Sequence, residues 1–282
     1  MLRARGTAKR PGPRAARDCY HRGHEPWRQS ERTATSGPAT TGRGAATNGR
    51  RWGGSANLFW GALYPRLARF LPSGALLEIA PGHGRMTEFL ARLCSRLVLV
   101  ELSPNCLAAC RDRFAELTHL QYLTTDGKSL PGVADGTIDF AFSFDSLVHC
   151  NPDAVNGYVR ELGRVLAPDG AAFLHHSNLG ALVDPRSGEL AFPNEHWRDT
   201  AVSAESVARA ATEAGLVAVV QELVAWCGPH LIDSFTLLVR ESGRFAGTPR
   251  VVDNLAFMQE AEDIRRSMAL WNPDGLHLGP AR

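Results

Sequence analysis

The stretch LLEIAPGHGRMTEFLA, Leu76–Ala91, decides the fold. An apolar run carrying one acid meets two glycines two residues apart, and a helical pattern follows. A strand feeding a tight glycine turn into a helix reads this way. Such a turn lets bare backbone approach a ligand.

Strands and helices alternate on either side of this stretch. Upstream, Asn57–Leu71 carries Leu58, Phe59, Leu63, Leu67 and Phe70 at helical spacing, and Pro72 stops it. The spacing predicts strands over 75–80, 96–101, 120–125, 138–144, 171–176, 216–226 and 235–240. Helices are expected over 85–93, 104–117, 152–166, 203–214 and 255–269. Ser103-Pro104 has the form of an N-cap and first-turn proline, and Gly215 that of a helix stop. Strict alternation with apolar strands predicts an α/β, doubly wound, mostly parallel sheet of seven strands in a single domain. In such sheets ligands sit outside the carboxyl ends of the strands. That rule gathers Gly82, Gly84, Glu101, Asp126, Phe144 and His176 on one rim.

The ends of the chain differ from the middle. Residues 1–51 hold twelve Lys/Arg against Asp18, Glu25 and Glu31, whereas the whole chain of 282 residues has a net charge of +2. The folded part is therefore acidic. Residues 1–50 read as a basic, disordered tail, 51–245 as the catalytic domain and 246–282 as a C-terminal helical extension. The N-terminus has no apolar core of a secretory signal, and no stretch reaches the length of a membrane span. Six cysteines without a CxxC pair suit a reducing compartment, so a cytoplasmic location is expected, with no metal site.

Two ligands compete for the glycine turn. The dinucleotide fingerprint wants a third glycine, and Thr87 stands at that position. Glu78, inside the strand, suits an ammonium group, which a dinucleotide does not offer there. Asp126-Gly127 ends the third strand, where an adenine amino group would find an acceptor. A nicotinamide-dependent dehydrogenase is thus the alternative, not the favoured reading.

Five segments resemble, in order and spacing, the class I S-adenosylmethionine-dependent methyltransferases. They are E-x-x-x-G-x-G at Glu78–Gly84, the acid Glu101, TDGKSLP at 125–131, IDFAFSFDSLVH at 138–149 and LAPDGAAFLHHSN at 166–178. The resemblance covers residues 52–240 and implies a Rossmann-like fold with S-adenosyl-L-methionine as cofactor. It implies that Gly82 and Gly84 admit the methionine moiety and ribose, and that Glu78 orients the amino end. Glu101 takes the ribose hydroxyls, Asp126 and Gly127 face the adenine, and Leu102 and Phe144 line the adenine pocket. Where that family usually has a further glycine, this chain has Met86.

The acceptor is read from the rest of the rim. A hydroxyl acceptor needs a base, and Asp145, His149 and His176 are the candidates. His175 and His176 should point to opposite faces of their strand. A long loop, 177–202, carries His196, Trp197 and Arg198 as acceptor-binding candidates. The chain lacks the Asn/Asp-Pro-Pro-aromatic signature of base-amino methylation; Ser143-Phe144-Asp145-Ser146 stands there. A small-molecule acceptor is therefore expected, with a lean to a sugar-containing metabolite such as an aminosugar. The sequence is also similar to bacterial tailoring methyltransferases of sugar and antibiotic biosynthesis, aminoglycoside-type enzymes included. Neither membrane nor nucleic acid is an expected partner, although the basic tail keeps a nucleic-acid-associated methyltransferase as an alternative. A homodimer is the candidate assembly.

Overall fold

The computed structural model describes residues 54–271. The expected tail over 1–50 lies outside the described residues, as does the end of the expected C-terminal extension. The elements are α1, built of Ser55–Asn57, a π-helical stretch Leu58–Leu63 and Tyr64–Leu67; β1, Ser73–Ile79; α2, Thr87–Leu90, prolonged by a 3-10 turn at Ala91–Leu93; β2, Cys94–Glu101; α3, Pro104–Arg113; β3, Leu120–Thr124; β4, Ile138–Ser143; α4, Pro152–Val165; and β5, Leu166–Ser177. They continue with α5, Ala204–Glu213; β6, Leu216–Val224; β7, Asp233–Arg240; β8, Arg250–Asn254; and α6, Phe257–Trp271.

Local chemistry starts the helices where the sequence puts them. Ser103 accepts from the Cys106 N–H ahead of Pro104, and Asn151 accepts from the Ala154 N–H ahead of Pro152. Ser203 and Ser206 form a capping box for α5.

The strands form one sheet in the order β3-β2-β1-β4-β5-β7-β6-β8. Every neighbouring pair is parallel except those made by β7. The sheet has eight strands, not the expected seven. The extra one, β8, runs parallel to β6 from the segment expected to be purely helical. Its residues are mostly exposed, so no alternation of apolar and polar positions marks it as a strand.

Both faces of the sheet are covered. Leu76, Leu97, Leu99, Phe140, Phe142 and Phe173 join one apolar core beneath α1, α2 and α6. Leu77, Ile79, Val98, Val100, Ala141 and Leu174 join the other beneath α4 and α5. This period of two assigns the site residues as well: Glu78 and Glu101 lie on the face of the first core. Arg66 of α1 binds Glu222 of β6 through Nε at 2.7 Å and Nη2 at 2.6 Å, and reaches Glu260 of α6 at 3.0 Å. Asn254 of β8 donates to the same two carboxylates. A bidentate, half-buried network thus fixes α6 and β8 to the body of the sheet.

Candidate functional site

The carboxyl ends of β1, β2, β3, β4, β5 and β6 open on one rim, and the candidate residues lie there in two groups. The first surrounds the glycine turn. Gly82 has φ +58° and Gly84 φ +79°, the left-handed region that glycine enters without strain. A methyl group at Gly82 would meet nothing within 4 Å, so open space lies over its backbone. Gly84 is instead packed against the ring of Phe114. Arg113 holds the turn by donating to the carbonyls of His83 and Gly84, both at 3.0 Å.

Glu101, at the end of β2, is buried and oriented. Its Oε2 accepts from the Gly82 N–H at 3.0 Å and its Oε1 from the Ser103 N–H at 2.9 Å. Each oxygen keeps a lone pair for a diol. Glu78 is buried beneath the turn and accepts from the Thr87 hydroxyl at 2.6 Å. Burial pushes its carboxyl up to about 7, against the pull of the Thr87 hydrogen bond and Arg85. Thr87 thus has a definite task where a dinucleotide site would want glycine.

Asp126 uses Oδ1 to accept from Lys128 N, Ser129 N and Ser129 Oγ at 2.8–3.0 Å. These bonds lower the pKa of its carboxyl from the ordinary value. Leu102, 53% exposed, touches the place a Gly127 side chain would occupy. Leu102, Asp126 and Gly127 therefore form one corner of the rim. Phe144 does not join them. It is buried among His175, Trp226 and Phe235, with ring centroids 4.8, 6.3 and 6.1 Å away. It stays there because the ring continues the aromatic row of Phe142 and Phe173 on the same sheet face.

The second group follows β4, β5 and β6. Asp145 sits at φ +61° and pairs with Arg85 Nη2 at 2.9 Å. Ser146 donates to the carbonyl of Ala80 at 3.1 Å, which joins this loop to the glycine turn. His149 Nδ1 lies 3.0 Å from the carbonyl of Trp197. A carbonyl only accepts, so Nδ1 carries the proton and Nε2 is left with its lone pair. Desolvation of the ring lowers the His149 pKa and keeps it neutral.

His175 and His176 point to opposite faces, and neither offers a nitrogen to the rim. His176 is fully buried, with Nδ1 on the Ser177 carbonyl at 2.8 Å and Nε2 on the Thr236 hydroxyl at 2.7 Å. Burial drives its pKa down to about 4. Its place in the core removes the access that a base requires. Arg198 differs from expectation in the same way. It is 5% exposed and spends Nε and Nη2 on Asp233 at 2.8 and 2.7 Å. Although burial opposes ionisation, Arg198 and His175 hold Asp233 well below the carboxylate range. Trp197 stands 51% exposed at φ +49°.

A cavity of about 200 Å³ opens between the loops after β5 and β6. Leu179, Phe192, His196, Trp226, His230 and Ile232 are among its walls. The Phe192 and His230 rings stack with centroids 3.7 Å apart. His196 was expected in this region; Phe192, Trp226 and His230 were not. A tryptophan at a strand end and an aromatic inside a long loop are the signals that mark them. Trp226 links the cavity to Phe144, and Arg85 lies over the other ring at 5.7 Å. The cavity and the glycine turn are thus two ends of one aromatic floor.

The residues present fit an adenosyl cofactor: an open glycine backbone, an oriented carboxylate with spare lone pairs, and a buried acid beside them. Residues 77–174 match the methyltransferase domain family. A ribosomal RNA adenine N-6-methyltransferase of Streptomyces fradiae is 45% identical over 65 residues, 23% of this chain and 20% of that protein. A probable ribosomal RNA small subunit methyltransferase A of Methanosarcina acetivorans is 28% identical over 92 residues, 33% of this chain and 31% of that protein. The chain thus spans a third or less of the length of these curated relatives. A solved structure from Pyrococcus horikoshii OT3 has the same fold, with a TM-score of 0.51 and 21% identity over 66% of this chain and 90% of that one. Over residues 77–174 the chain is similar to the methyltransferase domain family, whose cofactor is S-adenosyl-L-methionine, and its fold is that of the Pyrococcus structure.

Proposed function

We propose that the chain transfers the methyl group of S-adenosylmethionine to a hydroxyl or amino group of a small molecule. The cavity bounded by Phe192, Trp226 and His230 carries this reading. It opens on the same rim as the glycine turn and is joined to it by the aromatic floor. Its size suits a small acceptor rather than a polymer, and its aromatic walls suit the apolar face of a sugar ring. Glu195, His196 and Asn194 supply polar edges for hydroxyl or amino groups. A sugar-containing metabolite, an aminosugar among them, is the acceptor class we favour.

The sulfonium methyl is already electrophilic, so alignment of the acceptor supplies most of the catalysis. An oxygen acceptor also loses a proton. His149, neutral and with Nε2 carrying a lone pair, is the group we assign to that step. Calorimetry with S-adenosylmethionine, S-adenosylhomocysteine and NAD tests the cofactor. A search for +14 Da products over aminosugars and other glycosylated metabolites tests the acceptor. Binding of NAD and of neither adenosyl ligand would defeat the proposal.

A second reading rests on the ribosomal RNA methyltransferases named above and on the twelve Lys/Arg of residues 1–51. Here the acceptor is a nucleic-acid base, and the basic segment grips phosphates. The sequence Ser143-Phe144-Asp145-Ser146 after β4 speaks against it. Methylation of unmodified ribosomal RNA, abolished by deleting residues 1–50, would establish it.

A further inference from the structure

We propose that the Trp197 carbonyl decides which nitrogen of His149 carries the proton, and that Arg198, Asp233 and Asn194 hold that carbonyl in place. The inference rests on the proposed role of His149 as base and names the residues that position it. Trp197 has φ +49°, in the left-handed region that a residue with a side chain enters only at a cost in free energy. Its neighbours show what holds it there. Arg198 is pinned to the sheet by Nε and Nη2 on Asp233, both residues being buried. Its Nη1 donates to the carbonyl of His196 at 3.3 Å. The Asn194 side chain brackets the backbone of Arg198, accepting from its N–H at 3.0 Å and donating to its carbonyl at 2.8 Å. Asp199 donates from its N–H to the Val148 carbonyl at 3.1 Å and accepts from the Ser177 hydroxyl at 2.6 Å. The chain is thus held on both sides of Trp197, which takes the left-handed conformation that joins them.

The strained conformation has a consequence at the rim. His149 ends the short turn Leu147–His149, and the bond from Asp199 to Val148 registers that turn against the loop after β5. The Trp197 carbonyl then meets Nδ1 of His149 at 3.0 Å. In a neutral histidine the partner of one nitrogen sets the state of the other. A carbonyl on Nδ1 demands a donor, so the proton stays there and Nε2 keeps its lone pair. With the carbonyl turned away the proton is free to move to Nε2, and the lone pair that a hydroxyl acceptor needs is lost. Arg198 and Asp233 are therefore positioning residues. Their side chains are buried, and they act on the proton of His149 through the backbone of Trp197.

Nuclear magnetic resonance of protein labelled with ¹⁵N-histidine tests this without cofactor or acceptor. A ring nitrogen resonates differently with and without its proton, and His149→Gln identifies the signals of residue 149. At about pH 8, where the ring is neutral, the unsubstituted chain should show the Nδ1–H form. Two substitutions at Trp197 both remove the indole and differ in the backbone they accept. Glycine enters a φ of +49° freely, so Trp197→Gly should keep Nδ1–H. A β-branched residue does not, so Trp197→Val should shift the ratio of the two forms toward Nε2–H by roughly 5-fold, the worth of one hydrogen bond. Asn194→Ala should shift it the same way. So should Arg198→Lys, which keeps a charge beside Asp233 and loses the fork, and so preserves the fold better than a neutral residue. Nε2–H in the unsubstituted chain, or Nδ1–H unshifted in Trp197→Val, Asn194→Ala and Arg198→Lys alike, overturns the inference. With a hydroxyl acceptor, kcat of Trp197→Val should fall below that of Trp197→Gly in step with the loss of Nδ1–H. A shift in the proton without a change in kcat leaves the positioning of His149 standing and takes the role of base away from it.

Discussion

The backbone N–H of Asp145 donates to Nδ1 of His175 over 3.2 Å. This bond fixes the histidine's tautomer. Nδ1 accepts, so Nε2 carries the proton and donates to Asp233 Oδ2 at 3.1 Å. Asp233 in turn takes both hydrogen bonds from Arg198. A buried chain therefore runs from Arg198 in the loop after β5 through Asp233 of β7 and His175 of β5 to Asp145, just past β4. Asp145, held at a positive φ, is the end of that chain.

Removal of either inner link should cost stability. Arg198→Met leaves Asp233 buried without its countercharge, for which about 3–5 kcal/mol is expected. His175→Ala strips one partner from Asp233 and one from Asp145 N–H, at about 1–3 kcal/mol. Urea denaturation measures both. A neutral Arg198→Met would mean that Asp233 is solvated in solution, and would return Arg198 to the acceptor site.

The two glycines should separate folding from binding. Gly84→Ala drives a methyl group into the Phe114 ring and strains a φ of +79°, so at least about 2 kcal/mol of stability should go. Gly82→Ala meets open space and carries only the left-handed strain, about 1–2 kcal/mol. Its methyl instead occupies the space over the backbone, and S-adenosylhomocysteine should bind far more weakly. Thermal melts and calorimetry on the two variants read the contrast; equal binding by Gly82→Ala and the parent would move the cofactor elsewhere.

What the sequence disclosed and what it hid follow one rule. The glycine turn, Glu78, Glu101 and the opposed histidines were legible because strand period and chain order alone place them. Arg198 was misread because its partner, Asp233, lies 35 residues on and reaches it only through the antiparallel β5–β7 pairing. His176 looked like a rim residue because β5 runs on to Ser177, and no local pattern shows that Thr236 covers it. Phe144 was placed with adenine from its strand end, whereas its neighbours come from β5, β6 and β7. The eighth strand escaped because an exposed edge of five residues leaves no periodicity.

Glu78 should make both stability and cofactor binding depend on pH. Its folded pKa, about 7, lies above the ordinary 4.5, so the native state binds more protons than the unfolded chain between those values. Stability contributed by this group is therefore full below pH 4.5 and declines up to pH 7, by on the order of 3 kcal/mol. Glu78→Gln should flatten that decline. An ammonium group favours the ionised carboxylate, so S-adenosylhomocysteine should bind more tightly as pH rises through 7 and should release protons below it. Calorimetry in two buffers of different ionisation enthalpy counts those protons. A count of zero at pH 6 would take the ammonium away from Glu78.

Glu101→Ala should weaken the cofactor by about 1.5–3 kcal/mol for each charged hydrogen bond lost to the ribose. The same change releases Gly82 N–H and Ser103 N–H, so a smaller loss of melting temperature should accompany it. Glu101→Gln separates the two effects. Its single carbonyl oxygen can keep one backbone contact, yet it lacks the charge that favours a diol. Affinity unchanged in both variants would show that the ribose does not rest on β2.

The histidine that remains available should decide between oxygen and nitrogen acceptors. His176 is sealed in the core, and His175 has both nitrogens engaged, but His149 keeps Nε2 for a proton. Its pKa is lowered from the ordinary 6.5, so protonation, and with it loss of the base, sets in only below that pH. With a hydroxyl acceptor from the +14 Da screen, turnover should hold from neutral pH down to about 6.5 and fall below it. His149→Ala should reduce turnover by about 10²–10⁴ and abolish that acid limb. Cofactor affinity should survive, because the hydrogen bond of His149 goes to the Trp197 carbonyl in the loop after β5 and not to the glycine turn. Phe192→Ala should instead raise the acceptor's KM with the pH profile intact, since a wall of the cavity holds the acceptor and moves no proton. If His149→Ala turns over at the parental rate with the same acid limb, no base acts there. Alignment alone then carries the transfer, and a neutral amine becomes the acceptor.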